Sequence, residues 1–95
     1  MNDKTMLIKQ LEKVVELLNQ KRIEEPTRML DLIVSKYEKA LKIVNSKSVS
    51  EITYADLSIN GSVRAYVDAY SDWLNPMLGE MDKAEKMAEK LLPRR

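Results

Sequence analysis

Two groups of oxygen-bearing residues could hold a metal or move a proton. Asp56, Ser58 and Asn60 occupy positions one, three and five of a run with Gly61 at six and Val63 at eight. That is how an EF-hand-type calcium loop opens. The pattern then fails. Arg64 stands at position nine and Val67 at position twelve, where a bidentate carboxylate is required, and Asp68 comes one residue late. The run reads instead as a turn closed by Asn60-Gly61, with Ser62 capping the helix that follows, and no metal site is expected. Asp68 and Asp72 form a second pair, four residues apart. Paired carboxylates can act as acid and base, but these project from a polar helix face beside Arg64 and read as solvated.

The richest chemistry belongs to recognition. Tyr66, Tyr70 and Trp73 share one side of a helical pattern, which Met77 and Met81 extend, with Met87 further on. Tyr and Trp suit both interface hot spots and cores that can satisfy their polar tips. In a chain with no Phe their use as core filler is the stronger reading. As a functional surface, Tyr66, Tyr70, Trp73, Met77 and Met81 are the expected partner-binding residues. Glu85 falls inside the apolar arc of the same pattern. It either reaches outward to water or sets register in a helix–helix interface.

These residues need elements to position them, and hydrophobic spacing supplies the elements. Leu7, Leu11, Val14 and Leu18 step by four, three and four, so a first helix spans about 3–22, capped by Asn2 or Asp3. Glu24-Glu25-Pro26-Thr27 is a junction, since proline suits a helix start and pushes its predecessor out of helical geometry. A second helix spans about 26–45, with Leu30, Ile33, Tyr37, Leu41 and Val44 inside. Two helices of similar length joined by a short junction form an antiparallel hairpin. After the loop Ser46–Ser50, Thr53-Tyr54-Ala55-Asp56 has the form of an N-terminal capping box. It starts a short helix over about 54–60, in preference to an extended Glu51–Tyr54.

The third main helix spans about 62–92, along Val63, Tyr66, Tyr70, Leu74, Met77, Met81, Ala84, Ala88 and Leu91. Asn75-Pro76 interrupts it. Proline inside a helix costs about 3 kcal/mol unless the helix bends or restarts. The unbroken steps Tyr70-Leu74-Met77-Met81 favour one bent helix over a new start at Pro76. A straight helix of that length would reach roughly 45 Å. The expected architecture is an all-α helical bundle, one domain over residues 1–95, with three main helices, the last kinked or broken near Pro76.

Composition narrows the function. The 95 residues are 44% hydrophobic and 33% charged, which is globular rather than disordered. The absence of Cys and His removes thiol nucleophiles, disulfides, Cys/His zinc sites and histidine acid–base chemistry. Net charge is +1 with 16 basic and 15 acidic residues interspersed, unlike the one-sided basic surface of a nucleic-acid binder. No apolar run resembles a signal peptide or a transmembrane span. Neither membrane nor nucleic acid is therefore an expected partner, and the cytoplasm is the expected location. No cofactor and no enzymatic activity are expected.

WXG100 secreted hairpins are similar in length, but this chain has no Trp-x-Gly at its central turn. Bacteriocin immunity proteins of Gram-positive bacteria are similar in size, lysine-rich character and helical form, with no diagnostic motif in common. Neither likeness assigns a family. The expected function is a protein–protein interaction module, a regulator, inhibitor or adaptor of bacterial or phage type. A structural subunit forming an obligate homo-oligomer is the alternative, because a homodimer would add buried area to a small core.

Overall fold

The computed structural model describes residues 3–48, 51–57, 59, 61–70 and 75–92; the side chains of Tyr54, Ala55, Ala69 and Tyr70 lie outside that description. The fold is all-α. Among the described residues five helices follow in order: α1 (Asp3–Glu24), α2 (Arg28–Ser46), the single turn α3 (Tyr54–Leu57), α4 (Ser62–Tyr70) and α5 (Pro76–Leu91).

Helix α1 turns its apolar stripe inward, and Leu7, Leu11, Val14 and Leu18 are fully buried. Helix α2 begins where Thr27 leaves helical geometry and its Oγ1 accepts the Leu30 N–H at 3.2 Å. Pro26 therefore precedes the cap rather than opening the helix. Leu30, Ile33, Val34, Tyr37, Ala40 and Val44 face the core, while Leu41 is only partly covered. The two helices are antiparallel. Lys4 Nζ donates to the Lys47 carbonyl at 2.9 Å at one end, and Arg22 lies 3.5 Å from Asp31 at the other.

The Thr53-x-x-Asp56 pattern forms the acidic half of the capping box that the sequence implies. Asp56 Oδ2 accepts the Thr53 N–H at 2.9 Å, and the Asp56 N–H returns to the Thr53 carbonyl at 3.1 Å. The helix is shorter than its expected span of 54–60. The core gains Ile52, Leu57 and Ile59 here, all buried, although no helical periodicity marks them.

The helix expected over 62–92 is broken near Pro76 rather than bent, and forms two helices. Asn75 is extended (φ −71°, ψ 123°), its side chain accepts the Met77 N–H at 2.9 Å, and Pro76 takes the first helical position. Proline there loses no hydrogen bond, because that N–H has no partner within the helix in any case. Helix α5 then runs back beside α4: the Gly61 N–H donates to Glu85 Oε1 at 2.9 Å. In one continuous helix those residues would sit about 36 Å apart.

Helix α5 also runs antiparallel to α1, with Gln10 against Glu80 and Met6 against Met87. Neighbouring pairs α1–α2, α2–α4, α4–α5 and α5–α1 close a ring, so the chain goes up, down, up and down around one core. The break in the last helix makes four main helices of the three expected, and the bundle measures 37 × 23 × 20 Å. Among the described residues no helix is long and apolar enough to cross a membrane.

Candidate functional site: the α1–α5 face

The residues expected to bind a partner do not form an outer surface together. Tyr66, Met77 and Met81 point into the bundle, at 0%, 4% and 0% exposure. The Tyr66 hydroxyl also lies 3.5 Å from Asn75 Nδ2, close to the α5 cap. The reason is that α5 runs back beside α4. This closes the seam of α4 and α5 onto the core, so the expected contact surface on these three residues is interior in the monomer. The Tyr70 side chain and Trp73 lie outside the described residues.

The calcium-loop residues separate in the same way. Asp56 serves the α3 cap, and the hydrogen bond from the Thr53 backbone, followed by its side-chain bond, holds the carboxyl below its ordinary range. Ser58 and Asn60 lie outside the described residues. Gly61 has φ +82°, the left-handed geometry expected of the residue in that turn. Asp68 is exposed and 3.9 Å from Arg64, a loose surface pair, and Asp72 is outside the described residues. Among the described residues no three potential metal ligands cluster.

Ser62 is not the cap of α4. The Gly61 carbonyl accepts the first helical bond, from Ala65 at 3.0 Å, so Gly61 holds the capping position without a side chain to use. Glu85 fills that role from α5, accepting from Gly61 and also from Val63. Ser62 Oγ is buried and has no partner among the described residues. Of the two outcomes expected for Glu85, the helix–helix interface is the one the fold adopts. Burial pushes its carboxyl above the ordinary range, the two backbone N–H groups pull it back down, and Asp82 and Glu89 add a smaller upward push.

One face that stays open on the surface is shared by α1 and α5. Its anchor is a polar clasp. Gln10, 7% exposed, donates through Nε2 to the Glu80 carbonyl at 2.8 Å and to Glu80 Oε1 at 2.9 Å. Lys13 Nζ meets the other carboxylate oxygen at 3.3 Å. The Gln10 side chain, then Lys13, hold the Glu80 carboxyl below its ordinary range. This clasp sets the register of the two helices. It was not apparent from the sequence, since an isolated Gln at an inward position of α1 carries no pattern of its own.

Beside the clasp lies a groove. Met6, half exposed at 47%, and Met87 form its floor, and Leu91 closes one end around a cavity of about 180 Å³. That volume compares with the roughly 150 Å³ that admits a benzene ring. The groove continues past Met6 and Met87 into a second hollow of about 320 Å³ rimmed by Lys9, Lys13 and Lys83. Methionine is unbranched and polarizable, so such a floor adapts to different apolar partners. In sequence Met87 extends the aromatic side, whereas Met6 carries no signal beyond that of an apolar residue off the α1 stripe.

Comparison with known proteins places the chain without assigning it an activity. It is 29% identical over 85 residues to the "Uncharacterized protein YeeD" of Bacillus subtilis strain 168, across 85% of this chain and 84% of that protein. No solved structure matches it. The family model described as "YeeD uncharacterised protein" matches residues 2–94, nearly the whole bundle, and the chain therefore belongs to the YeeD family.

Proposed function

We propose that this protein is a non-catalytic protein–protein interaction module, a small regulator, inhibitor or adaptor acting in the bacterial cytoplasm. The observation that carries this reading is the methionine-floored groove between α1 and α5. An apolar floor with a charged rim is how helix-binding surfaces are built, and Met6 at 47% exposure is available to a partner. A chain without Cys or His lacks the usual nucleophile and base, which supports a binding role over an enzymatic one. The interspersed charge supports protein over nucleic acid as the partner.

Affinity capture from the native host, with wild type and Met6→Asp compared, tests the reading. A protein retained by wild type and lost from the variant, at unchanged melting temperature, supports it. Equal capture by both removes the groove from the mechanism.

A second reading rests on a different place. Ile23 is 83% exposed, Leu32 53% and Met29 38%, all around the α1–α2 turn. Exposed apolar residues in so small a fold favour self-association through that tip, which is the homo-oligomeric structural subunit. Sedimentation at micromolar concentration decides: a dimer dissolved by Ile23→Lys with Leu32→Lys supports this reading, and a clean wild-type monomer ends it.

A further inference from the structure

We infer that the α1–α5 groove takes an acidic amphipathic helix, about three turns long, from another protein. This rests on the interaction reading above and names the partner's chemistry. Three features of the groove specify it.

The first is shape. The lining residues on α1 run from Asp3 to Lys13, about 15 Å of helix. A groove between two antiparallel helices receives a third helix by interlocking side-chain ridges. About ten residues, with apolar side chains at i, i+3 or i+4 and i+7, cover that length.

The second is the floor. Met6, Met87 and Leu91 offer an apolar strip with a cavity at the α5 end large enough for one Leu or Phe side chain. The incoming helix therefore presents one large apolar residue to that cavity and further apolar residues to the wider hollow beside Gln10.

The third is charge. Lys83 and Lys90 stand beside the floor, against Asp3 as the one carboxylate among the lining residues, while Lys9 and Lys13 are engaged within the protein. Glu80, next along, is already bound by Gln10 and Lys13. Lys83 and Lys90 are exposed and stand on the α5 side of the strip. A helix with Glu or Asp flanking its apolar face matches this rim, and a basic one is repelled.

A displayed library of amphipathic helical peptides, selected on the full-length protein, tests the inference. The expected binders carry Glu or Asp beside a Leu, Ile, Met or Phe stripe. In methyl NMR of methionine-labelled protein they should shift Met6 and Met87 and leave buried Met77 and Met81 in place. Their affinity should fall about tenfold in the Lys83→Glu, Lys90→Glu double variant, which removes two rim attractions and adds two repulsions. Its melting curve should match wild type.

Helical binders that are basic, or that shift Met29 instead of Met6 and Met87, overturn the acidic-helix inference while leaving an interaction module in place. Anionic phosphatidylglycerol vesicles that shift Met6 and Met87 when no helical peptide does also overturn it, in favour of a membrane surface. Recovery of no binder of any composition, together with no partner lost from Met6→Asp in the capture experiment, removes both the inference and the reading beneath it.

Discussion

The Gly61 N–H donates to Glu85 Oε1 at 2.9 Å across 24 residues of chain. One bond closes α4 against α5, caps α4 and explains why a carboxylate occupies an apolar arc. It also creates a pH dependence of unusual sign. The Glu85 carboxyl titrates above its ordinary value of 4.5, with burial as the largest cause. The folded state thus holds its proton more tightly than the unfolded state. Glu85's contribution is most favourable below the unfolded value and is lost as pH rises through the raised folded one. Glu85→Gln keeps an oxygen acceptor for Gly61, and it should melt at or above wild type at neutral pH. Glu85→Ala strips the cap and should cost about 1 kcal/mol. Melting curves from pH 4 to 8 should show the descending component in wild type and in neither variant.

Glu80 behaves in the opposite sense. Its carboxyl is held below the ordinary range by Gln10 and Lys13. The clasp should therefore be complete above the unfolded value and weaken as pH falls through the lowered folded one. Gln10→Ala should cost about 2 kcal/mol, since it removes a donor to a charged acceptor and leaves a partly empty site. Gln10→Met should recover the packing part of that loss. Urea denaturation of both variants separates the two terms, and equal losses would show that packing contributes nothing.

The turn before α4 should tolerate change in one place and resist it in the next. Ser62→Ala removes a buried hydroxyl with no partner among the described residues, so it should be neutral or stabilising by up to about 1 kcal/mol. Gly61→Ala should cost about 1 kcal/mol through backbone strain alone, because nothing lies within 4 Å of an added Cβ at that positive φ. If Ser62→Ala proves the more damaging of the two by thermal melting, the cap has been assigned to the wrong residue.

Asn75 and Pro76 decide the number of helices. Asn75→Ala deletes the side chain that accepts the Met77 N–H and should lower stability by about 1 kcal/mol. Pro76→Ala keeps the cap and should change stability by less than about 1 kcal/mol. A bent continuous helix would show the reverse order, since removing an interior proline would then stabilise it.

Core and surface positions should separate cleanly in mutational scans. Tyr66→Ala empties a fully buried site and should cost about 3–5 kcal/mol, a large share of the stability of so small a domain. Any binding it loses follows from unfolding. Met6→Ala, at a half-exposed position, should cost less than about 1 kcal/mol and lose binding at full folding. Paired melting and binding measurements on the two variants check this, and a Tyr66→Ala protein that melts like wild type would return Tyr66 to the surface.

Periodicity and caps alone determined the helices of this protein. Leu7, Leu11, Val14 and Leu18 declare one face of α1, Glu24-Glu25-Pro26-Thr27 marks the junction before α2, Thr53-x-x-Asp56 starts α3, and Asn75-Pro76 marks a bend or a new start. All of these are local signals, set by backbone geometry within a few residues. The reversal between α4 and α5 is not local. Tyr70-Leu74-Met77-Met81 keeps the same phase whether one helix bends or two helices face one core, because spacing records which side is apolar and not which way the axis points. Only the tertiary structure decided that direction. It therefore decided that Tyr66, Met77 and Met81 are interior, that Glu85 meets Gly61, and that Met6 and Met87, 81 residues apart, share an open groove. Buried polar contacts and surface grooves are made by residues distant in the chain, and one-dimensional spacing carries no term for their approach.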